Sequence, residues 1–490
     1  MLASNFKINY SYLAGKLHSP LLPPHHLPAA SAAMKRCRQS KSVANETVDV
    51  ADIEDIGFSG KEIKEIRASL LQWYDENRRD LPWRRISSSG NEGGVEQRER
   101  RAYAVWVSEV MLQQTKVQTV IGYFNRWMEK WPTIHHLAQA TIEEVNEMWA
   151  GLGYYRRARF LLEGAQMIVE SGGEFPNTAS SLQMVKGIGN YTAGAIASIA
   201  FEEAVPVVDG NVVRVVTRLK AISANPKDSK TVKDIWELAR KLVDPLRPGD
   251  FNQAVMELGA TICSPTAPSC SKCPISLQCQ ALSLSMNQES IKVTDYPTKV
   301  PKAKQRHDFS AVSVVEIVEE GSDSKYLLVK RPEEGLLAGL WEFPSVLLEG
   351  EAGLTSRRKA IDRFLKQSFG LDMRKSCKLV SREEVGVYVH IFSHIRLKMY
   401  IELLTLRKTG LSPTNSNTSG ANCIQEKQEE TATIKWKYVD EKALSTLGLT
   451  SGVRKAYTMI QKFKQDSSVP ATARKRRDKK SSTKAPSSIR

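Results

Sequence analysis

The sequence predicts a multidomain protein in which an all-α half, ending in a cysteine-rich metal loop, precedes an α/β domain. Three observations predict it. Apolar residues recur at three- and four-residue spacing through the first half, four of seven cysteines fall within seventeen residues, and beyond about residue 305 the apolar pattern turns β-like. A chain of 490 residues, at about 150 residues per domain, has room for roughly three folding units. The composition, 41% apolar and 25% charged, is ordinary for a globular protein, and no window approaches the ~18 apolar residues of a membrane span. A transmembrane protein is excluded. The net charge of +16 points to an anionic partner, but residues 1–45 hold six basic and no acidic side chains, and residues 465–490 hold eight basic and two acidic ones. The body is therefore near +4, so polyanion binding there depends on particular residues.

In chain order, residues 1–50 read as a disordered leader: Ser, Ala, Leu, Pro and His with scattered lysines, no acid within the first 45 residues, and no arginine before Met34. That composition resembles an organelle-targeting segment. A helical domain is expected over 51–285. Its first stripe is Ile63, Ile66, Leu70, Leu71 and Trp73, and helical stretches continue through Tyr103–Trp127, Ile142–Trp149 and Tyr154–Val169, punctuated by Pro132 and by glycine pairs. A polar, proline-marked linker occupies 286–305. A mixed domain is expected over 306–463, with β-stretches Phe309–Val318, Tyr326–Lys330, Val385–Leu403 and Ile434–Val439 and a helix at Ser356–Phe369; a basic disordered tail covers 464–490. Residues 87–100 and 411–431 read as polar surface insertions.

The cysteines are spaced Cys263-x6-Cys270-x2-Cys273-x5-Cys279. Clustering in one short loop favours metal ligation over disulfides. One Cys-x2-Cys pair with single flanking cysteines suits an iron–sulfur cluster, whereas structural zinc more often shows two such pairs; a four-thiolate zinc site stays open as the alternative.

Met184-Val-Lys-Gly187-Ile-Gly189-Asn-Tyr191 places two glycines before a small-residue helix. Such a turn can offer backbone amides to a phosphate, though it is more often a plain connector. Asp209, in Val-Val-Asp209-Gly-Asn211, precedes an apolar helical run and is by default an N-cap. Glu109 shares a helix face with Val105 and Leu112. A desolvated glutamate resists ionisation, which suits a general acid near neutral pH.

With these residues the chain resembles the helix-hairpin-helix DNA glycosylases, specifically adenine DNA glycosylases of the MutY type. The resemblance covers about residues 60–285, through Leu81-Pro-Trp83-Arg84, Trp106–Thr115, Gly151-Leu-Gly-Tyr154-Tyr155, the hairpin, Val-Val-Asp-Gly-Asn and the cysteine loop. It implies one 4Fe-4S cluster, a monomeric enzyme acting on double-stranded DNA with no membrane partner, adenine extruded from the duplex, and hydrolysis of its N-glycosidic bond. By the same resemblance Glu109 is the acid at the base and later the water activator, Asp209 stabilises the cationic sugar, and Asn211 and Tyr191 support it. Trp83, Arg84 and Leu112 are implied to line the adenine pocket. Gln114 and Tyr154 would fill the duplex around the flipped or opposing base, and Gly187 and Gly189 would present amides to a phosphate. Related enzymes that also cut the strand carry a Schiff-base lysine where this chain has Tyr191, so a monofunctional enzyme is expected. Lys186 stands where the family usually has proline.

Gly335–Pro344 and Val389–His394 resemble the Nudix-related C-terminal domain of the same family. A Nudix hydrolase holds magnesium with a glutamate-rich helix, and Arg357–Gly370 has no such glutamates, so pyrophosphate hydrolysis is not expected. The resemblance implies instead that Phe392, Ser393 and His394 read 8-oxoguanine, or guanine, opposite the target adenine; taken alone, Ser393 and His394 would read as a polar strand-end turn. The basic run Arg474–Lys480 suits nuclear import. An additional mitochondrial or plastid form, with Met34 as the start of the nuclear one, is the expectation from the leader.

Overall fold

A computed structural model describes residues 57–86, 94–301, 304–319, 323–373, 377–408 and 434–468. The leader, the Met34 start, residues 87–93 of the 87–100 insertion, the 411–431 insertion and the basic run at 474–480 lie outside the described residues. Thirteen helices come first among them: α1 Gly60–Asn77, α2 Pro82–Arg85, α3 Val95–Leu112, α4 Val117–Lys130, α5 Ile134–Ala138, α6 Ile142–Trp149, α7 Arg156–Glu170, α8 Ala179–Leu182, α9 Asn190–Phe201, α10 Gly210–Leu219, α11 Ser229–Leu242, α12 Pro248–Thr261 and α13 Gln280–Asn287. Strands β1 Arg306–Val318, β2 Lys325–Lys330, β3 Trp341–Glu342 and β4 Ser345–Leu348 then lead to α14 Leu354–Phe369. Strands β5 Cys377–Ile391, β6 Ile395–Lys408 and β7 Trp436–Asp440 precede α15 Glu441–Thr446 and α16 Ser451–Ser468.

The chain divides into two compact units, with one division inside the expected linker and the others within the helical half. One comprises the residues through Trp106, Pro176–Met184 and Ile188–Val300; the other comprises Val107–Phe175, Val185–Gly187 and the chain from Pro301. In the first, α1 opens with a capping box in which Ser59 and Glu62 satisfy each other's backbone amides, and its stripe Ile66, Leu70 and Tyr74 is buried. That stripe joins a core with Val212, Val216, Leu219, Phe251 and Leu258. Two glycines of α12 set the helix spacing. A methyl group on Gly249 would meet the Ser198 carbonyl oxygen at 2.6 Å, and one on Gly259 would meet Asn211 Cβ at 2.6 Å.

In the second unit, Trp127 packs edge-on against Trp131 and Trp149 at centroid distances of 4.7 and 5.6 Å. The C-terminal domain is a seven-stranded sheet with the path β3-β2-β1-β6-β5, to which β4 and β7 add. β1 runs parallel to β6, and every other pairing is antiparallel. Alternation along β1 sends Ala311, Val315 and Ile317 into one core with Ile361 and Leu365 of α14, and Val312 and Val314 into the other with Val453, Ala456 and Ile460 of α16. The result is an α/β/α sandwich. Within this unit Lys330 pairs with Glu143 at 3.4 Å, and Gly448 lies so close to α6 that a methyl there would fall 2.7 Å from the Glu147 backbone.

Several expected boundaries change. The single helical stretch Tyr103–Trp127 is two helices, because the chain turns at Gln113–Lys116. Val95–Arg100, expected within a surface insertion, is the first part of α3. The β-stretch Val385–Leu403 is two antiparallel strands folded at Phe392–His394. α16 had no forecast and runs to Ser468, past the expected domain end at 463.

Candidate active site and cysteine loop

Every residue of α3 from Ala102 to Met111 is buried, as in a helix apolar on all sides. Glu109 sits among them, 7% exposed, and its carboxyl is shielded from bulk water. The helix ends at Leu112, which is half-buried, and the chain turns through Gln114, which is exposed with φ +57°. Tyr154 follows the Gly151-Leu-Gly153 turn with φ +49° and 47% exposure. Both residues for which the family resemblance implies a place in the duplex therefore occupy the left-handed region that non-glycine residues rarely adopt.

Asp209 is the N-cap of α10 in the structure, as its default reading had it. Its Oδ1 accepts from the amides of Asn211 and Val212 at 2.8 and 2.7 Å, and its Oδ2 accepts from Asn211 Nδ2 at 2.7 Å. Burial holds the Asp209 carboxyl above its ordinary value; the Val212 and Asn211 bonds and the Arg214 charge pull the other way without cancelling that push. Arg214 donates Nη2 to Asn211 Oδ1 at 2.8 Å and to the Gly259 carbonyl at 2.6 Å, and Nε to the Cys263 carbonyl at 2.8 Å. One guanidinium thus joins the Asp209–Asn211 turn to the first cysteine. Tyr191, in the first turn of α9, donates its hydroxyl to Met256 Sδ at 3.6 Å.

Trp83 is buried in the short helix α2. Arg84 is held by three partners: Gln253 Oε1 at 3.1 Å, the Arg79 carbonyl at 3.0 Å and the buried Glu257 Oε2 at 3.0 Å. Those bonds anchor the segment that carries Trp83.

The two hairpin glycines differ. Gly187 has φ +86° and meets Phe160 so closely that a methyl would lie 2.6 Å from Phe160 Cβ, whereas Gly189 has ordinary φ, caps α9 and has open space around it. Only Gly187 requires glycine. Lys186, in the slot of the usual proline, pairs with Glu163 at 3.0 Å.

Cys263, Cys270, Cys273 and Cys279 are all free thiols. Burial raises Cys273 to about 12 and pushes Cys270 and Cys279 up as well, and the neighbouring Cys263 raises each further. Arg218 Nη1 stands 3.2 Å from Cys263 Sγ, and backbone amides of Ile275, Ala281 and Leu282 face Cys273 and Cys279. Four thiols ringed by N–H donors and a guanidinium are a donor set suited to an anionic metal–thiolate group. Among the described residues, no three Cys, His, Asp or Glu side chains form a group that could hold a single metal ion.

In the C-terminal domain Phe392, Ser393 and His394 form the turn between β5 and β6, closed by the Phe392 amide on the Ile395 carbonyl at 2.8 Å. Ser393 and His394 are exposed, with Ser393 Oγ 3.1 Å from His394 Nδ1, and Phe392 is half-buried against His390. Sequence reasoning missed Arg214, Arg218 and Gly259. The one available signal was that Arg214 lies three residues after Asn211 and so shares its helix face.

Residues 107–241 match the family model described as "HhH-GPD superfamily base excision DNA repair protein", and residues 314–459 match "NUDIX domain". The chain is 58% identical over 428 residues to the adenine DNA glycosylase of Arabidopsis thaliana, covering 82% of this chain and 65% of that one, slightly less than two thirds of the relative's length. It is 44% identical over 411 residues to the Homo sapiens adenine DNA glycosylase, covering 76% and 72%. Against that of Schizosaccharomyces pombe it is 37% identical over 381 residues, covering 70% and 82%. With both domain models matched in order and this identity sustained across most of the sequence, the chain belongs to the adenine DNA glycosylases of the HhH-GPD superfamily.

Proposed function

We propose that the chain is a monofunctional adenine DNA glycosylase of base-excision repair, removing adenine that lies opposite 8-oxoguanine or guanine in duplex DNA. The burial of Glu109 inside a stretch of α3 that is apolar apart from Ser108 carries the reading, since a buried glutamate there has no packing advantage over leucine. Adenine is a poor leaving group until a ring nitrogen is protonated, and its departure leaves an oxocarbenium-like sugar. Protonated Glu109 supplies the proton and afterwards activates water. Ionised Asp209, held by Asn211, stabilises the cation, and Tyr191 supports it. Trp83 and Leu112 line the base pocket and Arg84 braces it. Gln114 and Tyr154 enter the duplex, and the amides of Gly187 and Gly189 hold a phosphate.

Tyr191 replaces the imine-forming lysine of strand-cutting relatives, and a phenol cannot form that imine. The Phe392–His394 turn reads the opposite base, so excision depends on the partner of the adenine. The four loop cysteines hold one 4Fe-4S cluster, which when bound cross-links the loop and adds local charge. The protein acts as a monomer in the nucleus, and an organellar form rests on the leader composition alone. No helix among the described residues is long and apolar enough to cross a membrane.

The test is a single-turnover assay on duplexes with adenine opposite 8-oxoguanine, guanine or thymine, developed with and without alkali. Excision opposite 8-oxoguanine and guanine, with strand breaks only after alkali, is the expected result. Strand cleavage without alkali, with borohydride trapping of protein on DNA, would overturn the monofunctional mechanism.

A further inference from the structure

Arg157, in the first turn of α7, is half-buried, and its Nε is buried with no partner among the described residues. The guanidinium is satisfied by main-chain carbonyls. Nη1 donates to Val110 and Gln113 at 2.6 Å each and to Met111 at 3.3 Å, and Nη2 donates to Gly153 at 3.2 Å. Its plane lies over the Trp149 and Tyr154 rings at 5.3 and 5.5 Å, and Trp149 Nε1 reaches the same Gly153 carbonyl at 2.9 Å.

The last carbonyls of a helix have no partner inside it, and they form its negative pole. Arg157 occupies that pole on α3. It thereby fixes the final helical turn, directly after Glu109, together with the Gln113 carbonyl that leads into Gln114. The same side chain fixes the Gly153 carbonyl that leads into Tyr154. Gln114 and Tyr154 both hold positive φ, a conformation that persists only where surrounding bonds over-determine it. Burial lowers the guanidinium to about 10, which leaves it protonated at neutral pH and able to hold four carbonyls at once.

We propose that Arg157 is a positioning residue that holds Gln114 and Tyr154 in a fixed mutual register, ready to enter the duplex, while anchoring the turn of α3 next to Glu109. This rests on the reading of Gln114 and Tyr154 as the residues that enter DNA. A single clamp means that both wedges arrive together and that neither strained backbone relaxes in the free enzyme. Lysine can reach one or two of the carbonyls but cannot span the fork, and methionine reaches none.

The experiment measures excision of adenine opposite 8-oxoguanine at saturating enzyme, and duplex affinity, for R157M and R157K in two backgrounds: the wild type and Q114A/Y154A. Thermal unfolding confirms folding, and R157K serves where R157M is too unstable. Loss of register by about 1 Å predicts a fall in single-turnover rate of about 100-fold for R157M, partly rescued in R157K. In the Q114A/Y154A background the further fall should be less than about threefold, because the clamp then has no wedges to place. The same fractional loss in both backgrounds would overturn the proposal. If Q114A/Y154A alone excised and bound like the wild type, the reading of those residues as wedges would fail first, and the inference with it. Wild-type rates in R157M would overturn the inference while leaving that reading standing.

Discussion

Gly259→Ala tests whether the spacing of two helices sets the position of the Asp209–Asn211 turn. A Cβ at 259 would stand 2.6 Å from Asn211 Cβ, 3.0 Å from the Asn211 carbonyl oxygen and 3.1 Å from its Cα. Two of those atoms are main chain, so no rotamer change relieves the contact. Carbon atoms prefer about 3.5 to 4.0 Å, so α10 and α12 must part by about 1 Å at this crossing. Overpacking of that kind costs about 1 to 3 kcal/mol, and the helical advantage of alanine over glycine returns about 1 kcal/mol. A net loss of up to about 2 kcal/mol lowers Tm by no more than about 8 °C in a unit of this size. The chemical effect is larger, because a shift of about 1 Å in a group that must face the sugar costs about 100-fold in rate. Gly249→Ala is the matched control, since its Cβ would meet the Ser198 oxygen at 2.6 Å and Ile199 Cα at 2.7 Å, on the same helix but against α9. Both variants should lose similar stability in thermal unfolding, and only G259A should lose single-turnover excision with duplex affinity retained. Equal rates in the two variants would show that the crossing does not position the turn.

Asp209→Asn should abolish excision while sparing binding to the lesion duplex. Because burial raises the carboxyl, its charge costs stability above that raised pKa, and protonation relieves the cost below it. The Asn variant should therefore unfold at a higher temperature than the wild type at neutral pH, with the gap closing on acidification; a wider gap at low pH would reverse the assignment. Wild-type protein should be brown, with broad visible absorbance that Cys273→Ser removes, whereas a colourless protein carrying zinc would replace the iron–sulfur reading. Alanine at Ser393 and His394, both exposed, should leave Tm unchanged and reduce the preference for adenine opposite 8-oxoguanine over adenine opposite guanine. Full discrimination by that variant would place the reading of the opposite base elsewhere.

The order of elements was legible wherever apolar period and punctuation agreed. Ile142–Trp149 is a helix with those ends because Thr141 and Glu144 form a capping box and the chain leaves the helix before Gly151. The break between α3 and α4 was not legible, because Gln113, Gln114 and Thr115 are neither glycine nor proline and all tolerate helix; the bonds that stop the helix come from Arg157, more than forty residues away. The turn at Phe392–His394 was hidden in the same way inside a run of strand-forming residues. Among the site residues, the local partners of Asp209 could be read from the N-cap rule, whereas Arg214 and Gly259 depend on which helix crosses α10, and composition does not encode that. Gly189 differs from Gly187 in that it caps α9 with ordinary φ and open space around it, so nothing steric or conformational at that position calls for glycine.

The C-terminal domain matches the NUDIX family without the acidic helix that magnesium-dependent diphosphate chemistry needs. α14 carries a single acid, Asp362, where a magnesium-binding helix needs several. Its Arg357 and Arg358 reach across to Glu384 at 2.8 Å and Glu402 at 2.6 Å, and Arg382 of β5 bridges Glu402 at 2.7 Å and Asp362 at 2.8 Å. Asp362, Glu384 and Glu402 are thus each held by a guanidinium. A divalent cation would have to displace arginines from an arrangement in which removing one partner leaves a charge in a poorly solvated place. The small pocket beside them, lined by Arg357, Arg358, Glu384, Tyr400 and Glu402, has an enclosed volume of about 10 Å³, room for about one water molecule. What the sandwich retains is rigidity. Its central strands are locked on both faces by α14 and α16, and the Phe392–His394 turn, with Ser393 and His394 exposed, lies at the end of that fixed frame. A reader of a base needs such a frame, because discrimination between closely similar purines depends on donors and acceptors that do not move to accommodate the wrong one.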